Sequence, residues 1–142
     1  MAVIRTKGTV LQQTISASLT SIAQLISLTV SEAQNEMHDA DYLGNTAAGI
    51  LQQSTGRTTV PTITGEIFYD PVNSTHDFLA AFLTTPPAIA GNAGKIVLAD
   101  AATSEITYTA GGFGMGVNVA LGDGLKAPFS IMPTGVPLYP TA

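Results

Sequence analysis

Apolar and polar positions alternate with a period of two over much of this chain, and a helical period stands out in one segment. The alternation predicts strands over Thr9 to Ile15, Ile22 to Ser31, Thr62 to Tyr69, Lys95 to Ala99, Ser104 to Thr109, Phe113 to Leu121 and Leu125 to Ile131. In the second, Ile26, Leu28 and Val30 oppose Ser27, Thr29 and Ser31. Leu19, Ile22, Ala23 and Ile26 also keep helical spacing there, but Ser, Thr and β-branched content favours a strand. In Thr62 to Tyr69, Ile63, Gly65, Ile67 and Tyr69 share one face. Asp70-Pro71 stops that strand, because proline brings no N–H to the ladder and restricts the residue before it. Phe113, Met115, Val117, Val119 and Leu121 alternate with Gly114, Gly116, Asn118 and Ala120, the cleanest two-faced strand in the chain. Gly122-Asp123-Gly124 follows as a hairpin turn, and Pro128 marks an edge or a bulge in the returning strand.

The helical segment is 74–85. Ser74 with Asp77 reads as an acidic capping box. Phe78 with Phe82, and Leu79 with Leu83, form an apolar stripe at i, i+4, and Pro86-Pro87 ends it. About three turns do not persist alone in water, so the helix must dock on a sheet. Residues 1–8 read as an N-terminal arm and 132–142 as an extended, Pro-rich C-terminal tail. Pro86 to Gly94 reads as a bend.

Between Ala33 and Pro61 periodicity vanishes. A structureless loop of that length inside a compact domain is generally functional or disordered. Met37, Tyr42, Leu43, Ile50 and Leu51 are apolar groups that a permanently solvated loop does not need, so the segment is expected to be ordered by a partner. Short helical turns around 31–38 or 46–53 are also compatible with its composition.

Composition sharpens this. The chain of 142 residues is expected to form one domain, and its charged fraction of 11% is under half the usual value of about 25%. Mean hydropathy is +0.31, yet no run reaches the roughly 18 apolar residues of a membrane span, and no signal-peptide core opens the sequence. A chain this apolar and poorly charged is expected to bury surface in an assembly. Without cysteine it has no disulfide, thiolate site or cysteine nucleophile. Five bases against ten acids give a net charge of −5, and the bases are scattered, which disfavours ordinary nucleic-acid binding.

Candidate chemistry is thin. Glu66 and Asp70 lie four strand residues apart, roughly 13 Å, too far for a glycosidase pair. His38-Asp39-Ala40-Asp41 and His76-Asp77 each offer one histidine beside acids, and a solvated loop and a helix cap explain them better than a metal does. Gly112 to Gly116 resembles a phosphate loop but leads into a strand with no following lysine. The residues therefore predict no enzyme, no cofactor and no metal.

The order of these signals resembles the major tail tube proteins of long-tailed, siphovirus-like bacteriophages. The matching features are an opening GTVLQ strand, ISLTVSEAQNEM running into a long acidic loop, GEIFYDP before a helix that starts near a histidine, GKIVLAD, and DGLKAPFSIMPTGVP. The resemblance implies a mainly β fold: an antiparallel β-sandwich or small barrel with one α-helix packed on its side. It implies a homo-oligomer of hexameric rings whose inner strands join into one barrel. The rings stack into a tube in the virion, assembled in the host cytoplasm, with other tail proteins at its ends. DNA passes through without specific binding, and there is no membrane anchor. In that setting the loop 33–61 is an inter-ring loop with Tyr42, Leu43, Ile50 and Leu51 as contacts. Ser27, Thr29, Gly114, Gly116, Asn118 and Ala120 are lumen-facing, on a smooth, weakly negative wall. The rival is that this small-residue face packs under Phe78 and Phe82. Two other classes share the pattern: the tube protein of a contractile tail or type VI-like secretion tube, and a capsid-decorating or carbohydrate-binding β-sandwich. The second predicts exposed aromatics, and the chain has no Trp and four Tyr.

Overall fold

The computed structural model describes residues 5–15, 18–44, 46, 49–85, 92–122 and 124–141. Its strands are β1 (Arg5–Ile15), β2 (Ser18–Ser21), β3 (Leu25–Val30), β4 (Asn35–Asp39), β5 (Gln52–Thr58), β6 (Ile63–Phe68), β7 (Ala93–Ala99), β8 (Glu105–Met115), β9 (Asn118–Ala120) and β10 (Gly124–Pro133), with one helix, α1 (Ser74–Thr84). One antiparallel path runs β2-β1-β7-β8-β10-β6-β3, with β9 on β10, and β4 pairs β5 separately. The architecture is mainly β with a single helix, an open sandwich rather than a closed barrel.

The path folds on β8. Its first residues pair β7, with Thr107 opposite Lys95, and its later ones pair β10, with Phe113 opposite Ile131. The register of β10 shifts between Met132 and Pro133, and such a bulge bends a sheet. Two half-sheets result, β2-β1-β7-β8 and β8-β10-β6-β3. Their inner faces supply the core: Leu11, Ile96, Tyr108 and Ala110 from the first, Ile63, Ile67, Ala127, Phe129 and Ile131 from the second. Leu25, Leu28 and Val30 of β3 pack at its margin. Ile26 points outward instead, because the register of β3 shifts between Leu25 and Ser27.

Helix α1 closes one side of this core. Its N-cap is Asn73, not Ser74: the Asn73 Oδ1 accepts from the Thr75 N–H at 3.0 Å. The stripe is also rotated from its expected place. Thr75, His76 and Leu79 are the buried positions, Phe82 stacks on Phe113 with ring centroids 4.6 Å apart, and Leu83 is exposed. His76 is fully buried. Its Nδ1 accepts the Asp70 N–H at 3.0 Å, and its Nε2 lies 2.8 Å from the Ala23 carbonyl, which fixes the tautomer that donates there. This ring ties the β2–β3 turn to the helix start and needs no metal to explain it.

The termini differ from their expected form as well. Strand β1 starts at Arg5, so the second half of the segment read as an arm is strand; residues 1–4 lie outside the described residues. The tail is docked: Thr134 N–H donates to Thr109, and Leu138 exchanges two hydrogen bonds with Thr107. The bend at 86–91 and the turn residue Asp123 lie outside the described residues.

Candidate assembly surfaces

The segment 33–61 is a β-hairpin arm rather than an irregular loop or helical turns. Met37 faces Ser54, His38 faces Gln53 and Asp39 faces Gln52, and the Ala40 N–H donates to Leu51 at 2.8 Å. All residues of β4 and β5 are exposed on both faces. Two-faced alternation reports one buried face, and here there is none, which is why periodicity misses the pairing. Tyr42, Leu43 and Ile50 near the tip are well exposed, and Leu51 just so. An isolated two-stranded ribbon with bare apolar groups at its tip is marginal in water. Its composition suits a surface that another molecule covers.

The outer face of the second half-sheet collects all six small residues singled out in the sequence. Register places Thr29, Thr64, Ser130 and Gly114 in one row, and Ser27, Glu66 and Pro128 in the next. The Gly116 N–H donates to Pro128 at 2.9 Å, extending that second row. Asn118 faces Lys126 and Ala120 faces Gly124. The helix lies on the opposite side, because Phe82 stacks on the inward-facing Phe113, and Asn118 is exposed. The rival placement, with these residues under Phe78 and Phe82, is therefore not what the fold contains. Among the described residues the face carries one acid, Glu66, and one base, Lys126. A Cβ at Gly114 would come within 2.5 Å of the Ser130 hydroxyl. Glycine there leaves room for that hydroxyl.

A third surface escapes sequence reasoning. Between β1 and β3 the sandwich gapes into a cleft of about 680 Å³, lined by Leu25, Leu28, Val30, Ile96, Leu98 and Ile106, with Lys7 among its residues. After β2, paired on the β1 edge, the chain turns at Gln24, a non-glycine residue with φ of 58°, and β3 pairs β6 instead of continuing along β1. Nothing in composition marks that departure. At the other edge of the same half-sheet, Val117, Val119 and Leu121 continue the inward face of β8 beyond the core and stand exposed.

Among the described residues no group of three or more His, Asp or Glu is placed to hold a metal, and the ion pair there is Lys95–Glu105 at 2.9 Å. The buried polar groups are structural. Gln13 accepts from the Tyr108 hydroxyl at 2.9 Å and donates toward Asn92 and Ala93 at 3.5 Å, and burial pushes the Tyr108 phenol well above its ordinary range. Hydrogen bonds from Ser104 hold the Asp100 carboxyl below the usual carboxylate value. No helix among the described residues is long and apolar enough to cross a membrane.

No family model matches this chain, and no curated protein matches its sequence. Its structure, in contrast, is similar to solved ones along its whole length. A chain in the tail of an empty gene transfer agent particle, refined helically with C6 symmetry, superposes with a TM-score of 0.75 at 11% identity, covering 96% of this chain and 98% of that one. A chain of the native gene transfer agent virion gives 0.68 at 11% identity over 92% and 95%. A chain of the anti-feeding prophage cap, which terminates the tube, gives 0.68 at 10% identity over 100% and 93%. This chain has the fold of phage-like tail-tube proteins, shared from end to end at low sequence identity.

Proposed function

We propose that this protein is a structural, non-catalytic subunit that forms hexameric rings and stacks them into a tail tube through which DNA is ejected. The observation that carries the reading is the whole-length match to a chain of a C6-symmetric tail, joined to an arm whose apolar groups stand exposed. In this reading Tyr42, Leu43, Ile50 and Leu51 contact the adjacent ring. Ser27, Thr29, Gly114, Gly116, Asn118 and Ala120 face the lumen, other tail proteins meet the tube ends, and the protein resides in the virion after assembly in the host cytoplasm. Small-residue walls suit a polyanion in transit, since clustered cations would retain phosphates.

The likeness to the tube-terminating cap supports a second reading, a ring that ends a tube instead of propagating it. Electron microscopy and sedimentation of the concentrated protein separate the two. Tubes are the expected outcome; rings that never stack favour the cap. A species of 14.6 kDa alone across a wide concentration range overturns both.

A further inference from the structure

The arm continues a pairing that begins inside the sandwich. Val30 of β3 stands opposite Ile63 of β6, and the same number of residues further out on each strand (30 to 35, 63 to 58) Asn35 stands opposite Thr58. The two ladders therefore share one register, with a gap between them. On the sandwich side the ladder ends at Ser31 and Thr62. The Ser31 N–H donates to the Thr62 carbonyl at 3.0 Å, and the Thr62 N–H donates to the Ser31 hydroxyl oxygen at 2.7 Å. On the arm side the ladder resumes at Gln34 and Thr59. The Thr59 N–H donates to the Gln34 carbonyl at 2.8 Å, and the Gln34 N–H donates to the Thr59 hydroxyl oxygen at 2.9 Å. Between these rims lie Glu32 and Ala33 on one strand and Val60 and Pro61 on the other. Among the described residues no hydrogen bond joins the two pairs.

The chemistry of this gap is that of a joint. Pro61 has no N–H to give a ladder, so pairing is not restored there by a small shift, and its burial anchors that strand to the sandwich. The gap is equally long on both strands, so register survives across it. At each rim a side-chain hydroxyl accepts the N–H that a backbone carbonyl takes in an unbroken ladder, which stops either ladder from unzipping at the gap. Beyond it every residue of β4 and β5 is exposed, and these strands pair with each other alone among the described residues, so no packed face props the arm against the sandwich. We propose that residues 32–33 and 60–61 form a hinge on which the arm turns as one paired unit. Turning costs no register, so a single arm can meet surfaces presented at different angles. The hinge goes beyond the tube reading, because it belongs to the free chain whether or not that chain stacks. Under the tube reading it lets the same tip groups reach a neighbouring copy and a different protein at the tube end.

The test uses the full chain in dilute, unassembled form, at 14.6 kDa a suitable size for NMR. Residual dipolar couplings of the β4 and β5 amides, fitted by themselves, are expected to obey one arm structure and to report weaker alignment than the sandwich amides. Equal alignment of arm and sandwich overturns the hinge, and arm couplings that fit no single structure overturn the arm as a unit. Hydrogen exchange gives a second readout: the Ala33 and Val60 amides are expected to exchange about tenfold faster than those of Ser31 and Thr62, or more. Even protection through the gap overturns the proposal. The chain has no cysteine, so Ala33→Cys with Val60→Cys closes the gap with a single disulfide. Oxidation is expected to raise the alignment of the arm to that of the sandwich, and a reductant to lower it again. A disulfide that forms and leaves the arm weakly aligned puts the pivot elsewhere and overturns the proposal. Absence of tubes at high concentration counts against the tube reading alone.

Discussion

His76 illustrates how far a single side chain can be misjudged from its neighbours. In the sequence it stands beside Asp77 and resembles half of a metal site; in the fold both ring nitrogens are used by backbone partners, Asp70 and Ala23, and the ring stacks on Tyr69. His76→Leu keeps apolar volume but strands the part-buried Asp70 N–H and Ala23 carbonyl, each costing about 1–3 kcal/mol. The expected outcome is a loss of about 3 kcal/mol, measured as a lower urea midpoint at unchanged slope. A shift of a few tenths of a kcal/mol would show that water replaces the ring without penalty. Asp100 acts in the other direction of the titration. Its folded pKa is depressed by Ser104, so the stability it contributes is present above the unfolded carboxylate value and lost as pH falls through the lower, folded one. Ser104→Ala is expected to lower stability near neutrality, where the contribution is fully present, and to flatten the acid-side fall, so that variant and parent converge at low pH in urea midpoints measured across pH.

Among the elements, the arm formed by β4 and β5 is the part that the fold spends nothing to hold. It pairs with itself, and every residue of both strands is exposed. Removing 40–51 and joining the strands with a short turn is expected to leave the melting temperature of the domain within a few degrees of the parent, because no core contact is lost. Stacking should disappear while rings remain. Tubes of normal length from the shortened protein would exclude the arm from the ring-to-ring contact. The arm also marks where sequence reasoning stops working. Strands β1, β6 and β10 were legible because each buries one face, so burial writes a period of two into Leu11 and Ile15, Ile63 and Ile67, or Phe129 and Ile131; β8 instead runs unbroken through 110–112, and the strand read over Phe113 to Leu121 is divided between the end of β8 and β9. The arm buries neither face and wrote no period. The helix was legible in extent but not in rotation: its stripe depends on where Phe113 stands, and no local pattern encodes that. Asn73 took the cap from Ser74 since either residue type serves there. The cleft lies where the chain, after β2 on the β1 edge, turns at Gln24 and carries β3 to β6, a tertiary event without a compositional mark. The six small residues of the outer face were found because alternation alone decides which side they take.

At the scale of the whole molecule, those six residues decide whether the outer face of β3, β6, β10 and β8 is a lumen. A conduit for duplex DNA must not hold phosphates, and each Lys or Arg that neutralises one steepens the salt dependence of binding. Asn118 is the most informative place to break that condition. It is exposed and sits opposite Lys126, so Asn118→Lys adds a second cation to the same row without entering the core. The like-charge pair costs the isolated subunit a few tenths of a kcal/mol, about the scale of cross-strand charge pairs, and folding is expected to survive. In a ring with the C6 symmetry of the similar tail, the substitution repeats around the whole circumference at one level of the wall. Tubes of the variant should form at the usual yield, retain duplex DNA at low ionic strength and release it steeply as salt rises, and particles carrying them should eject slowly. Each alternative has its own signature. If Asn118→Lys leaves a folded subunit that no longer assembles, Asn118 lies in a contact between copies; if tubes form and neither retain DNA nor slow its passage, the face lies on the outside of the tube, and the lumen must be lined by the other half-sheet.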